Sequence, residues 1–244
     1  MTEYFKNKTI VVTGAGQGIG RDLCKRLDAL GATVYAISRS AGPLTELKAT
    51  NPRILTVPLD LSDWSKSRSE LVNVFKGVKI DGLVNNAGIA ICKPVTELSE
   101  QDFDDTMNVN VKAVFNVTQT LLPNFNDGGS IVNLSSLAGL RAFANHAIYS
   151  ASKAAVDGLT RAFALELGPR NIRVNSVNPT VVLTAMSIPN WSEPTKAEKM
   201  KSRIPLHRFA ELNEVSDPII FLLSDKSSFI NGNSLPIEGG CCAC

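Results

Sequence analysis

Tyr149 and Lys153 stand four positions apart, and Ser136 precedes the tyrosine by thirteen. On a helix, positions i and i+4 share a face, so Lys153 sits beside the Tyr149 hydroxyl. A fixed positive charge favours phenolate and draws a tyrosine pKa from its usual ~10 toward neutrality. A general acid or base works best when its pKa is near the operating pH. The constellation Ser136…Tyr149-Ser-Ala-Ser-Lys153 therefore reads as a site that moves a proton to or from an alcohol oxygen. Alone, the pair carries little weight, because tyrosine and lysine at this spacing also occur on ordinary packed or solvated helix faces.

The elements around it raise that weight. Apolar runs alternate with helical patterns from end to end, with no linker and no repeat. Strands are predicted at Thr9–Thr13, Thr33–Ile37, Ile54–Val57, Leu83-Val84, Ser130–Leu134, Ile172–Val177 and Ser234–Ile237. Helices are predicted at Gly18–Leu30, Asp102–Leu122 and Tyr149–Leu167. Such alternation implies parallel βαβ units and one α/β domain over residues 1–244: a doubly wound, Rossmann-like sheet of about seven strands with helices on both faces. Ligands of such sheets bind beyond the carboxyl ends of the strands. Gly14–Gly20, Asn85–Gly88, Ser135-Ser136 and Asn178–Thr180 all fall there. Thr184 to Arg208 breaks the rhythm. Its length and its content of Pro, Lys and Met suggest a substrate lid, the plainer alternative being a surface insertion.

The first turn, Thr13-Gly-Ala-Gly-Gln-Gly-Ile-Gly20, follows a strand and opens a helix. Backbone amides and the positive helix end there suit a pyrophosphate. Gly14 allows the tight turn, Gly18 close backbone approach and Gly20 close helix–strand packing. No Gly-Lys-Ser/Thr follows, so this is not a mononucleotide P-loop. An NAD site usually carries Asp or Glu at the end of the second strand. Here Ser38-Arg39-Ser40 offers hydroxyls and a guanidinium suited to a 2′-phosphate, which favours NADP(H). Asp60-Leu61 follows the third strand. Asp60 is placed either to bond the adenine edge or to cap the next helix.

Bulk properties narrow the class. A net charge of +2 gives no pull toward nucleic acid. No run of about 18 apolar residues and no signal pattern occurs, so no integral membrane segment and a cytoplasmic location are expected. Two sequons, at Asn7 and Asn116, then read as chance matches. Five cysteines do not space as a disulfide framework. Cys241, Cys242 and Cys244 lie too close together for an ordinary metal site and lack a nearby histidine; no metal is expected, and a flexible, oxidisable tail or one packed at a subunit contact is the reading. No Gly-x-Ser-x-Gly is present, which argues against a serine hydrolase.

Together, Thr13-Gly-x-x-x-Gly-x-Gly20, Asn85-Asn-Ala-Gly88, Asn110, Ser136, Tyr149-x-x-x-Lys153 and Asn178-Pro-Thr resemble the short-chain dehydrogenase/reductase family over nearly the whole chain. Within it the chain is similar to the dicarbonyl/L-xylulose reductase group around Asn145-His-x-x-Tyr149, Arg173–Val182, Trp191-Ser, Arg203-Ile-Pro-Leu206 and the Pro236–Cys244 tail. That resemblance implies NADPH-dependent reduction of L-xylulose and small α-dicarbonyls. It makes Tyr149 the proton donor, Ser136 a hydrogen-bond donor to the carbonyl oxygen, Lys153 the group that lowers the Tyr149 pKa and bonds the nicotinamide ribose, and Asn110 the holder of a relay water. It implies cofactor contacts at Gly14, Gln17, Gly18, Ile19, Gly20, Ser38, Arg39, Asp60, Leu61, Asn86, Ala87, Gly88, Tyr149, Lys153, Val182 and Thr184. Asn86 faces the cofactor, whereas Asn85 steadies the sheet. Substrate contacts are expected at Ser136, Leu137, His146, Tyr149 and Trp191, with a packed histidine and a stacked tryptophan as the plainer readings.

Two departures matter. Gln17 stands where many NADPH-using relatives carry a basic residue, and Cys241-Cys242 replaces bulkier aromatics in the tail. A homo-oligomer, a tetramer by resemblance, is expected, with Ala151, Ala154, Ala155 and Gly158 permitting close helix approach or packing on the chain's own sheet. The rival readings are a 3-oxoacyl thioester or hydroxysteroid oxidoreductase of the same fold, and a non-catalytic NADP-binding sensor.

Overall fold

The computed structural model describes residues 2–243. Seven strands, β1 (Thr9–Thr13), β2 (Thr33–Ser38), β3 (Leu55–Pro58), β4 (Ile80–Asn85), β5 (Phe125–Leu134), β6 (Arg173–Pro179) and β7 (Ser234–Ile237), form one sheet in the order β3-β2-β1-β4-β5-β6-β7. Every pairing is parallel, with Val11 opposite Tyr35 on one side and Leu83 on the other. Successive residues of a strand face opposite sides. Ile10 and Val12 join the core on one face and Val11 joins the core on the other, and all three are buried. This is why β1 is a continuous apolar run rather than an alternating one.

Helices cover both faces. Gly18–Ala29 and Leu212–Leu223 bury Leu23, Leu27, Ile219 and Leu223 against one face. Leu71, Val117, Leu121 and Ala164 pack on the other. Each fully buried Leu or Val side chain contributes about 1.5–3 kcal/mol. The helices at Ala41–Thr50, Trp64–Val74 and Leu212–Leu223 were not among the sequence-predicted elements. The first has apolar spacing that is hardly amphipathic, burying only Leu44 and Leu47.

Two predicted elements differ in form. The Asp102–Leu122 helix is three segments: Glu100–Met107, a π-helical turn at Asn108–Lys112, and Ala113–Leu121. It begins with a capping box between Ser99 and Asp102. The Tyr149–Leu167 helix begins at Ala147. Between Thr184 and Arg208 the chain makes a turn of helix at Ile188–Trp191 and a helix at Pro194–Lys201, whose first amides bond the Glu193 carboxylate at 2.9 Å. No described helix is long and apolar enough to cross a membrane.

The strand order reverses between β1 and β4. Their carboxyl ends, with those of β2, β5 and β6, open into one cleft, as such a switch point requires.

Candidate functional site

The cleft has a volume of about 470 Å³ and runs from the glycine turn to Tyr149. At the turn, Gly14 has φ +65°, a conformation that disfavours side chains. A Cβ on Gly20 would lie 2.5 Å from the Gly14 carbonyl oxygen, so the helix approaches β1 as closely as the sequence suggested. Gly18 has φ +54° as well as close neighbours, so its need is conformational as much as spatial. Thr13 ties this turn to β4: its Oγ1 accepts from the Asn86 and Ala87 amides, both at 3.0 Å. The Asn86 side-chain amide donates to the Thr13 and Gly14 carbonyls at 2.9 and 3.1 Å. Asn86 thus borders the cleft while its NH₂ group holds the loop. Asn85 donates to Thr118 and Asn133 at 3.1 and 2.8 Å, inside the sheet.

At the far end of the turn, Ser38, exposed Arg39, Ser40, Asp60 and buried Leu61 line the cleft. Asp60 accepts from the Ser62 amide and hydroxyl at 2.9 and 2.8 Å. Burial acts to raise the Asp60 pKa, but the Ser62 bonds and the charges of Arg39 and Lys66 outweigh it and hold the carboxyl below its ordinary value. The alternative of Asp60 as a helix cap is excluded: Asp63 caps Trp64–Val74, accepting from the Lys66 amide at 2.9 Å. Gln17 is exposed, makes no side-chain cap bond and faces the cleft. Val182 pairs with Ala210 in an isolated parallel bridge. A Cβ on Gly18 would lie 3.2 Å from a Thr184 methyl carbon, so the start of the 184–208 excursion rests on the glycine turn.

At the other end, the structure brings Ser136, Tyr149, Lys153 and Asn110 together. Ser136 begins a short 3₁₀ turn after β5 and its Oγ accepts from the Ala138 amide at 3.1 Å. Tyr149 and Lys153 lie one turn apart, with the Lys153 Nζ 5.7 Å from the phenol ring centroid. The Lys153 Nζ donates to the Leu134 carbonyl at 2.7 Å. A Cβ on Gly88 would lie 3.3 Å from Asn110 Oδ1 and 3.5 Å from Lys153 Nζ, so both groups converge on that glycine. Asn110 occupies the π-helical turn. Its side chain accepts from Ile89 N at 2.8 Å and donates to Ile89 O and Ser152 Oγ at 2.9 and 3.0 Å. A π turn inside an α-helix often marks a functional site; here it aims Asn110 at the loop after β4.

The electrostatics depart from the sequence expectation. Burial raises the Tyr149 pKa above its ordinary value; the hydrogen bond with Ser136 pulls it back only in part, and Cys92 pushes it further up. Lys153 was expected to lower it. Instead its amine is turned to Leu134 and is itself drawn down, to about 8, by burial, against an upward pull from Asp157. The direction of the shift favours the protonated phenol, the form an acid needs.

Leu137 is buried in a cluster with Val181, Met200, Ile204 and Phe209, on which Trp191 and Phe143 pack. Trp191 is edge-on to Phe209, with ring centroids 6.1 Å apart, and still lines the cleft. His146 Nδ1 lies 2.6 Å from the Ala144 carbonyl, and its ring is edge-on to Tyr149 at 6.1 Å. Cys241 is buried in the Leu137 cluster, which corrects the expectation of a flexible tail there; Arg141 bonds its carbonyl, and Cys244 lies outside the described residues. Ala151 and Ala154 are exposed, and Ala155 and Gly158 partly so, so this stretch faces outward rather than packing on its own sheet.

Several residues of the site escaped the sequence reading. Asp157 and Ser152 lie on the Tyr149–Lys153 helix, and i+4 spacing from Lys153 would have pointed to Asp157. Gly139 is needed because a Cβ there would lie 2.9 Å from the Lys153 carbonyl carbon; nothing in a lone glycine announces that.

The cleft suits a dinucleotide on its own chemistry. A glycine-built turn at a helix start would cradle a pyrophosphate. The buried Thr180 Oγ1, on a residue lining the cleft, has no hydrogen-bond partner among the described residues, and buried polar atoms rarely go unpaired. Among the described residues no group of three or more His, Cys, Asp or Glu is arranged to hold a metal ion.

Comparison with known proteins gives a consistent picture. The short chain dehydrogenase family profile matches residues 8–195. The chain is 47% identical to the L-xylulose reductase of Mesocricetus auratus over 233 residues, covering 94% of each chain. It is 43% identical to carbonyl reductase [NADPH] 2 of Sus scrofa, covering 98% of each. Its fold superimposes on a blue fluorescent protein from a metagenomic library in complex with NADPH, with TM-score 0.89 and 31% identity, covering 97% of this chain and 98% of that one.

Proposed function

Because the chain belongs to the short-chain dehydrogenase family, and is thus an oxidoreductase of CH–OH and C=O groups, we propose that it is an NADPH-dependent reductase of small ketoses and α-dicarbonyls, of the L-xylulose and diacetyl type. The observation that carries the reading is the convergence of Ser136, Tyr149 and Lys153 at one end of the cleft, with the Lys153 Nζ 5.7 Å from the Tyr149 ring centroid. When bound, a reduced nicotinamide would supply the hydride to the carbonyl carbon. The protein's own residues do the rest. Tyr149 gives its phenolic proton to the carbonyl oxygen as that oxygen gains charge. Ser136 holds the same oxygen by a hydrogen bond, an arrangement that favours the charged transition state over the ground state. Lys153, cationic below about pH 8, stabilises the phenolate left behind. Asn110 steadies the loop beside Lys153 and orients the water that returns a proton.

The 2′-phosphate falls to Ser38, Arg39 and Ser40, where β2 ends without a carboxylate. Gln17 contributes no charge there. Leu137, His146 and Trp191 shape the substrate end, and the 184–208 excursion acts as its lid, resting on the glycine turn at Thr184 and on the Leu137 cluster at Met200. This partly aromatic end supports a short polar substrate over a steroid or acyl chain. The outward Ala151–Gly158 face supports assembly of like chains into a homotetramer. The relatives named for L-xylulose and NADPH-linked carbonyl reduction support the same substrate class.

The test is oxidation of NADPH, and separately NADH, by the purified protein with L-xylulose, diacetyl, a 3-oxoacyl thioester and a 3-ketosteroid. Turnover of the first two with NADPH preferred is expected. Turnover confined to the thioester or the steroid would overturn the substrate assignment.

A further inference from the structure

We propose that Asp157 is a positioning residue of this site, bracing the Ser136 turn and supplying the counter-charge to Lys153. Asp157 is one helical turn beyond Lys153 and only 3% exposed. Its Oδ1 accepts from Ser176 Oγ at 2.7 Å and its Oδ2 from Asn178 Nδ2 at 2.9 Å, both partners standing on β6. The same Asn178 nitrogen donates to the Ser136 carbonyl at 3.1 Å. The carboxylate thus reaches the backbone of Ser136 through one side chain. It also lies directly beneath the turn: a Cβ on Gly139 would stand 3.1 Å from Asp157 Oδ2. Helix, turn and strand meet at this one group.

A carboxylate is a costly choice for a purely structural brace. Its two hydrogen-bond partners are neutral, and no ion pair to it occurs among the described residues. An amide or hydroxyl could fill much of the same role without burying a charge, which is expensive unless compensated. The compensation is Lys153. The Lys153 amine donates to the Leu134 carbonyl, and among the described residues Asp157 is the charged group that acts on it; the Ser136–Gly139 turn brings no charge. Asp157 supports the cationic form, opposing the burial that draws the amine down.

The proposal rests on placing Lys153 in the active site, but its test needs no substrate. In the cofactor-free protein, the rate at which acetic anhydride labels Lys153, read by mass spectrometry against pH, reports the fraction of neutral amine. For Asp157→Asn the labelling midpoint is expected to move below its wild-type position by at least about half a pH unit, roughly threefold in the protonation equilibrium. The alkaline limb of the pH–turnover profile should move with it. The amide carbonyl that Asp157→Asn introduces can keep accepting from Asn178, while Ser176 redirects its hydroxyl to Ser234 Oγ, 3.0 Å away. Ser176→Ala, which trims the frame and leaves the charge, should not move the midpoint. Asp157→Ser serves as the second neutral variant. An unchanged midpoint in a folded neutral variant overturns the proposal. So does failure of both neutral variants to fold while Ser176→Ala folds normally, which would assign Asp157 to the fold alone.

Discussion

Replacing Lys153 by methionine should remove activity and yet relieve the fold of a strain that depends on pH. Lys153 is 5% exposed, and burial brings its pKa from 10.5 to about 8. At about 1.4 kcal/mol per pH unit, that difference is a penalty of about 3 kcal/mol on the folded state. The sign follows from the direction of the shift. Below pH 8 the lysine is protonated in both states and the penalty is full. Between 8 and 10.5 the unfolded chain binds the proton and the folded one does not, so wild-type stability rises by about 1.4 kcal/mol per pH unit. Methionine has no such slope. Against the gain stands the lost hydrogen bond to the Leu134 carbonyl, worth about 1–3 kcal/mol, so the variant at pH 7 should be between equal in stability and about 2 kcal/mol more stable. Reversible urea unfolding of both proteins from pH 7 to 10 isolates the titration of Lys153, because methionine contributes no slope of its own. The advantage of the variant should shrink by about 3 kcal/mol across that range. A stability difference that stays flat with pH would refute the reasoning about Lys153.

Two further substitutions probe other parts of the site. Gly139→Ala pushes a methyl against the Lys153 backbone and Asp157; it should lower Tm and depress turnover at least about tenfold, in line with misplacement by a fraction of an ångström, while cofactor affinity changes little. Steady-state kinetics and cofactor fluorescence titration check it. Arg39→Asp should weaken NADPH binding by about 1.5–3 kcal/mol, the worth of a charge-assisted bond, and bring NADH to parity or better; an unchanged ratio of kcat/KM for the two cofactors would assign the 2′-phosphate to another residue.

Much of this architecture was legible in the chain because its signals are local. β1 is a short β-branched run, Thr9–Thr13, followed at once by Gly14, and the Gly18 helix declares itself through Leu23 and Leu27. Strand–helix alternation then fixes parallel pairing and a shared carboxyl edge. Ser136, Tyr149 and Lys153 were brought together as spacing implied. What remained hidden depends on contacts between distant segments. The π turn at Asn108–Lys112 carries no compositional mark; it goes with the bonds of Asn110 to Ile89, twenty-one residues away. The Tyr149 pKa was misjudged in direction because spacing gives the neighbour but not the burial, nor the turn of Lys153 toward Leu134. Cys241 was read as tail because nothing local reveals the Leu137 cluster that takes it in.

Central to the proposed chemistry is that Tyr149 delivers the proton in a reduction driven by NADPH. The most direct measurement is single-turnover oxidation of bound NADPH by L-xylulose and by diacetyl, comparing the wild-type protein with Tyr149→Phe after fluorescence titration has shown that both bind NADPH. The expected result is unchanged cofactor affinity with the rate lowered by about 10²–10⁴, the usual contribution of a positioned acid. A phenylalanine variant that retains appreciable turnover would contradict it.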